Sequence, residues 1–308
     1  MTKKIRIGTR GSKLALWQAA LVDEELKKND IDCQIVIVDS EGDQRQDKPL
    51  HEIGGIGLFT RMLDESMRNN KIDIAVHSLK DVPTVLPEDI VQIAVLPRGN
   101  FHDILVFKND SDIIEEEVTS VIGTGSLRRK AQWLRKYAHH TVVGLRGNVQ
   151  TRLRKLSESD WLGAVFAQAG LERVALLPGK NYIVLDWMIP APAQGAIMIT
   201  ARKGDAQIGE IVGDLLNDVT TEKMVAIERD FMNTLEGGCT SPIGAHAQLN
   251  GTKVTFRGGV YSIDGSNEAV IEATGNLTDK GLGVKWAHEV LAKGGDTIIE
   301  EIREDLNI

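Results

Sequence analysis

The chain has 308 residues, 42% hydrophobic and 26% charged, enough for two or three domains of ordinary size. A net charge of -8 at pH 7 argues against a general nucleic-acid binder, and no apolar run approaches the roughly 18 residues needed to cross a bilayer. No targeting segment is visible before the first strand, and Cys33 and Cys239 do not read as a disulfide framework, so a cytoplasmic protein without a metal site is expected.

The first third alternates strands and helices. Strands are predicted from Lys4 to Gly8, Cys33 to Asp39 and Ile72 to His77, with helices from Ser12 to Lys28 and Leu58 to Asn69. Such βαβ order implies a mainly parallel sheet flanked by helices, with functional groups on loops at the strands' carboxyl ends. Two of those loops are informative: Thr9-Arg10-Gly11-Ser12 and Ser78-Leu79-Lys80-Asp81-Val82-Pro83. The stretch Ser40 to Gly55, long and polar, reads as a mobile loop or lid.

The pattern repeats in the middle third, with strands from Ile104 to Phe107, Ser120 to Ile122, Thr141 to Leu145 and Ala164 to Ala167. Helices are expected near Leu127 to Tyr137, Val149 to Leu156 and Gln168 to Leu176. Pro190-Ala191-Pro192-Ala193-Gln194-Gly195 breaks the chain, and Ala196 to Ala201 reads as a strand returning to the first domain. Two domains joined by two crossings suggest a cleft with a hinge. After Asp218 the order changes to one helix from Thr221 to Leu235, strands near Ala245 to Leu249, Thr252 to Ser262 and Glu268 to Ala273, then two closing helices. This is a small α+β domain.

Charge is unevenly spread. Between Val118 and Ser157 there is no Asp or Glu, while nine Lys and Arg residues fall there. An acidic chain with one basic block suits an anionic ligand. Within the block, Gly123-Thr124-Gly125-Ser126-Leu127-Arg128-Arg129 follows a strand and opens a helix, so backbone N–H groups, hydroxyls and two arginines can converge on an anion. It lacks the spacing and lysine of a nucleotide phosphate loop. Leu145-Arg146-Gly147-Asn148-Val149-Gln150-Thr151-Arg152 repeats the arrangement one strand later. Several arginines suit a ligand with several carboxylates, because guanidinium pairs with carboxylate bidentately. Arg135, Lys136, Arg154 and Lys155 read instead as a solvated basic face.

Asp81 stands beside Lys80 and ahead of Pro83. It is either a turn-capping acid or a carboxylate that stabilises a cation forming on an anionic substrate. Cys239 follows Gly237 and Gly238, just past a helix end, where the dipole does not favour a thiolate. It is either a small residue filling a turn or a thiol whose partner supplies the reactivity.

Taken together, the segments Gly8–Ala15, Ala75–Pro83, Gly123–Arg129, Leu145–Leu153 and Glu236–Cys239 resemble, in order and spacing, those of the porphobilinogen deaminase (hydroxymethylbilane synthase) family. The resemblance implies two α/β domains of the type II periplasmic-binding-protein kind around a cleft, 1–97 plus 191–216 and 98–190, and a C-terminal α+β domain at 217–308. It implies a dipyrromethane cofactor joined by a thioether to Cys239, on which four porphobilinogen molecules are deaminated and coupled into hydroxymethylbilane for tetrapyrrole biosynthesis. Asp81 matches the catalytic acid. Ser78, Lys80, Thr124, Ser126, Arg128, Arg129, Arg146 and Gly147 match cofactor-binding positions, and Arg10, Ser12, Arg146, Arg152, Arg173 and Gln194 match substrate-binding ones. A monomer is implied, with its product passed to uroporphyrinogen-III synthase.

Overall fold

The computed structural model describes residues 4–38, 60–115, 117–235 and 241–306. Cys239 and the stretch from Ser40 to Gly55 lie outside them. In chain order the elements are β1 (Ile5–Thr9), α1 (Lys13–Lys28), β2 (Cys33–Ile37), α2 (Arg61–Arg68), β3 (Ile74–Ser78), β4 (Ile90–Val95), β5 (Asp103–Phe107), β6 (Val121–Gly123) and α3 (Leu127–Lys136). Then come β7 (Thr141–Val143), α4 (Val149–Glu158), β8 (Gly163–Ala167), α5 (Gln168–Arg173), β9 (Tyr182–Val184), β10 (Ile197–Arg202), α6 (Ala206–Leu216) and α7 (Val219–Thr234). The chain closes with β11 (Ile243–Asn250), β12 (Lys253–Tyr261), β13 (Glu268–Asn276), α8 (Leu282–Val290) and α9 (Asp296–Leu306). Two units result: one draws its described residues from Met1–Gln46, Gly55–Gly99 and Gly195–Lys223, the other from Asn100–Gln194 and Met224–Ile308.

In the first unit the strand order is β2-β1-β3-β10-β4. β1, β2 and β3 run parallel and β10 runs against both β3 and β4, so the sheet is mainly parallel, as expected. Both faces are covered. Ala19, Val22 and Leu26 of α1 pack with Ile5, Ile7, Ile74 and Val76 on one side, and Leu63 and Met67 of α2 with Ile72 and Ala75 on the other. Cys33 is part of the first core. Double coverage explains why β3 and β10 read as apolar runs without alternation.

The second unit repeats the order as β7-β6-β8-β5-β9. Alternate residues of β5 face opposite cores, Leu105 and Phe107 beside Trp133, Ile104 and Val106 beside Phe166 and Leu171. The two sheets match strand for strand, each with one strand running against the rest.

The second unit also holds the antiparallel sheet β11-β12-β13, one face of which packs on Met224, Phe231 and Leu235 of the α7 segment and on Trp286 and Val290 of α8. The buried Glu228 joins this sheet to the proline-rich break: its carboxylate accepts from Ala247 N at 2.8 Å and from Ala193 N at 2.6 Å.

Three elements escaped the sequence reading: β4, β9 and α6. β9 has three residues, too few for a period to show. The strand expected from Thr141 to Leu145 ends at Val143, because Thr124 N donates to Val143 O and the chain then turns. The helix expected to reach Leu176 ends at Arg173, and Ala175 has a left-handed backbone, φ 53.

Candidate functional site

In the first unit the informative loops lie at the carboxyl ends of β1 and β3. Ser12 caps α1, its Oγ accepting from Ala15 N at 3.3 Å, while Thr9 Oγ1 donates to Ala15 O at 3.0 Å. Arg10 stands between them, half-buried. Ser78 ends β3 against the buried Gln18, whose Nε2 lies 2.8 Å from its Oγ. Lys80 and Asp81 share a single 3-10 turn, Leu79–Asp81. Leu79 and Val82 are buried, Leu79 N donates to Ala196 O at 3.0 Å, and Val82 N closes the turn on Leu79 O at 3.1 Å. The turn is thus held from beneath, with Lys80 and Asp81 half-buried on it. Burial lowers the His77 imidazole to a pKa of about 4, with Arg10 adding to the shift, so His77 is neutral, 3.1 Å from Thr200 Oγ1.

In the second unit the corresponding loops follow β6 and β7. Thr124 Oγ1 accepts from Ser126 N at 3.3 Å, and Ser126 Oγ caps α3 through Arg129 N at 3.4 Å. Gly125 has no room for a side chain, since a Cβ there would stand 2.5 Å from Leu145 O. Asn148 caps α4, its Oδ1 accepting from Thr151 N at 2.9 Å. Gly147 has φ 115, a conformation that favours glycine, and its carbonyl accepts from Arg152 Nε at 2.8 Å. The two loops therefore lie backbone to backbone, with Arg146 between their glycines.

The arginines divide into two kinds. Arg128 and Arg129 are buried, at 4% and 5% exposure, and both are bound to Asp103, which is wholly buried at the start of β5. Arg128 Nη1 is 2.8 Å from Asp103 Oδ2 and 2.6 Å from Ile189 O. Arg129 reaches Asp103 Oδ1 through Nε at 2.9 Å and Nη2 at 2.8 Å, and Val165 O through Nη1 at 3.0 Å. Gln194 Nε2 adds a bond to Asp103 Oδ1 at 3.0 Å and one to Phe101 O at 2.8 Å. Burial pushes the Asp103 carboxyl up, but the charges of the two guanidinia, with hydrogen bonds from Arg128 and Gln194, outweigh it and hold the carboxyl well below the usual range.

Arg146 is the other kind. Its Nη1 is buried without a hydrogen-bond partner among the described residues, and so is Gln150 Nε2. Burial alone pulls its pKa down. Arg173, at the end of α5, is likewise pulled down by burial, with Glu172 opposing. A buried guanidinium nitrogen without a partner, as at Arg146, is costly unless a ligand supplies one. Arg135 pairs with Glu268 and Arg154 with Glu158 at the surface, which agrees with their reading as a solvated face.

Each unit thus gathers its site residues at one end of its own sheet: Arg10, Ser12, Ser78, Lys80 and Asp81 in the first, Thr124, Ser126, Arg128, Arg129, Arg146, Gly147 and Arg152 in the second. Gln194 enters through Asp103, and Cys239 falls outside the described residues. Sequence reasoning missed Asp103 and Gln18. Asp103 had a readable signal, an acid opening the otherwise apolar strand Asp103-Ile104-Leu105-Val106-Phe107; Gln18 had none within its amphipathic helix.

Comparison with known proteins bears on this arrangement. Residues 5–210 match the family model "Porphobilinogen deaminase, dipyromethane cofactor binding domain", and residues 223–292 match "Porphobilinogen deaminase, C-terminal domain". The chain is 39% identical to porphobilinogen deaminase of Cytophaga hutchinsonii over 100% of this chain and 99% of that protein. It is 41% identical to the chloroplastic porphobilinogen deaminase of Oryza sativa over 97% of this chain and 86% of that one. Among solved structures, the periplasmic VFT2 domain of Bordetella pertussis BvgS aligns at 13% identity and a TM-score of 0.42, over 73% of this chain and 91% of that one.

Proposed function

This chain belongs to the porphobilinogen deaminase family, and we infer from that membership how the two sets of loops act. The chain deaminates four porphobilinogen molecules and couples them head to tail into linear hydroxymethylbilane, a transferase reaction of tetrapyrrole biosynthesis. It uses a dipyrromethane cofactor, which when bound supplies the pyrrole end from which the product is built. The observation that carries the assignment of roles is the buried, unpartnered Nη1 of Arg146 between Gly125 and Gly147. It fits a group rich in carboxylates.

Arg128 and Arg146, with Thr124, Ser126, Gly147, Ser78 and Lys80, hold the carboxylates and pyrrole N–H groups of the cofactor, and Arg129, its nitrogens taken up by Asp103 and Val165 O, serves through Asp103. Cys239 anchors it through a thioether. Arg10, Ser12, Arg146, Arg152 and Arg173 serve the incoming porphobilinogen, whose acetate and propionate each suit a bidentate guanidinium, and Gln194 contributes through Asp103. Asp81 is the catalytic acid. Loss of ammonia from the aminomethyl carbon leaves the substrate pyrrole cationic, and a carboxylate fixed on the Leu79–Asp81 turn stabilises that charge and exchanges the protons of the amine and the pyrrole. The turn's anchorage at Leu79 and Val82 means that the carboxylate need not reorganise as the charge forms.

The wider assignment has the same basis. The working division is three domains, 1–97 plus 191–216, 98–190 and 217–308, in a monomer of the cytoplasm that passes its product to uroporphyrinogen-III synthase. No helix among the described residues is long and apolar enough to cross a membrane.

Intact mass and porphobilinogen consumption test these roles together. The wild-type chain, made with its substrate supply intact, is expected to carry the added mass of a dipyrromethane. Asp81→Ala is expected to lose about 100- to 10,000-fold in kcat, and Cys239→Ser to lack the added mass. Near wild-type turnover in Asp81→Ala would remove the catalytic assignment, and a wild-type chain of unmodified mass would remove the anchor.

A further inference from the structure

Asp103 enters the function above only as the partner of Arg129 and Gln194. Its position is informative because the same architecture occurs twice. In the second sheet Asp103 opens β5 opposite Ala167, the last residue of β8. In the first sheet the equivalent position is Ile197, which opens β10 opposite Ser78, the last residue of β3. Ile197 is 1% exposed and Asp103 is 0% exposed. The fold therefore accepts an aliphatic side chain here. An acid at this site answers to its neighbours.

Those neighbours are two guanidinia at adjacent positions of α3. Between them Asp103 and the backbone use every nitrogen of Arg129: Nε and Nη2 on Asp103 Oδ1, Nη1 on Val165 O. Among the described residues Arg128 makes its contacts through Nη1, an ion pair with Asp103 Oδ2 and a hydrogen bond to Ile189 O. This leaves the Nε and Nη2 edge of Arg128 for a ligand. Two arginines and one aspartate also keep a net single positive charge beside the Thr124-Gly125-Ser126 loop. Without the acid, two buried cations would repel and drive each other out of the geometry a carboxylate requires.

We propose that Asp103 is a positioning residue for carboxylate binding: it turns Arg129 into a strut and fixes the free edge of Arg128 towards the pyrrole carboxylates of the dipyrromethane and of porphobilinogen. The proposal rests on the reading that these arginines serve those carboxylates. Gln194, bonded to Asp103 Oδ1 and Phe101 O, steadies the aspartate and acts through it.

The test uses the full chain in four forms, wild type, Asp103→Asn, Asp103→Glu and Arg128→Gln. Four quantities are measured: the rate at which apo chain gains dipyrromethane mass when given porphobilinogen, the KM and kcat of loaded enzyme, and the thermal midpoint. Asp103→Asn is expected to load at least 10-fold more slowly and to raise KM at least 10-fold, with kcat changed less than 3-fold. Asp103→Glu keeps the charge and the fold while moving both guanidinia, and is expected to raise KM 3- to 10-fold with its thermal midpoint within about 3 °C of wild type. Should Asp103→Asn fail to fold, Asp103→Glu decides. A folded Asp103 variant with loading and KM within twofold of wild type, while Arg128→Gln is impaired, overturns the positioning role alone. Wild-type loading and KM in Arg128→Gln overturns the arginine reading beneath it.

Discussion

The two five-stranded sheets share one strand order, yet each buries a carboxylate at a different end. In the first, Asp73 precedes β3 and binds Arg6 through Nε at 2.8 Å and Nη2 at 2.8 Å, with Arg202 Nη2 at 3.4 Å. Arg6 lies near the start of β1 and Arg202 at the end of the reversed β10, so this cluster sits at the amino ends of the parallel strands, away from the Arg10 and Asp81 loops. In the second, Asp103 opens the reversed β5, which puts its cluster at the carboxyl ends, beside Thr124 and Ser126. Loops that bind ligands lie at carboxyl ends in such sheets. The same ion chemistry is therefore a clamp for the fold in one sheet and part of the ligand machinery in the other.

The contrast can be broken most directly at the two acids. Asp103→Ala strands two guanidinia that are almost wholly buried, and is expected to cost about 3–5 kcal/mol in urea unfolding. Asp73→Ala takes the acid from Arg6, whose side chain is 29% exposed and can reach water, while Arg202 keeps Asp205, so about 2 kcal/mol is expected. At temperatures where both variants remain folded, the porphobilinogen KM should stay within twofold of wild type in Asp73→Ala. A larger rise there would erase the distinction between the two clusters.

A second asymmetry lies in the fourth residues of β3 and β8, His77 and Phe166. His77 is buried with its pKa lowered to about 4, against an ordinary 6.5. The folded state then binds fewer protons than the unfolded state between those values, so this stabilisation is complete above pH 6.5 and is lost as pH falls towards 4, by about 3 kcal/mol in all. Asp64 works the other way: burial raises its carboxyl to about 6, which favours the folded state as pH falls through that value. His77→Gln should flatten the slope of unfolding free energy across pH 4 to 6.5 relative to wild type. An unchanged slope would show that His77 does not titrate in that range.

The smallest contrast concerns Gly125 and Gly11, each in the loop that ends at a helix-capping serine. A Cβ at Gly125 would meet Leu145 O at 2.5 Å, whereas among the described residues one at Gly11 meets only Ile37 Cγ2 at 3.5 Å, an ordinary contact. Gly125→Ala is expected to cost about 1–3 kcal/mol and Gly11→Ala less than about 0.5 kcal/mol, read from urea midpoints. Equal costs would mean that the close approach of the two second-unit loops does not govern the glycine.

Much of this arrangement was legible in the chain. The βαβ order, the basic block and the loops around Asp81 and Arg146 all follow from local pattern, because period and turn chemistry are properties of neighbouring residues. Motif order was enough to place the chain in its family. The helix expected from Thr221 to Leu235 also emerged, with Met224, Phe231 and Leu235 in the core of the C-terminal sheet.

Tertiary structure alone decided the partners. Asp103 is 25 residues before Arg128 and 91 before Gln194, and only the reversed strand β5 brings these residues together. Sequence reasoning grouped Arg128, Arg129 and Arg146 by charge. The fold separated them by counterion, two bound to a buried acid and one left with an unpartnered nitrogen. Local sequence determines which elements and loops form, since those energies are short-ranged; which charges are already satisfied depends on contacts between distant strands, and that information exists only once the sheet is closed.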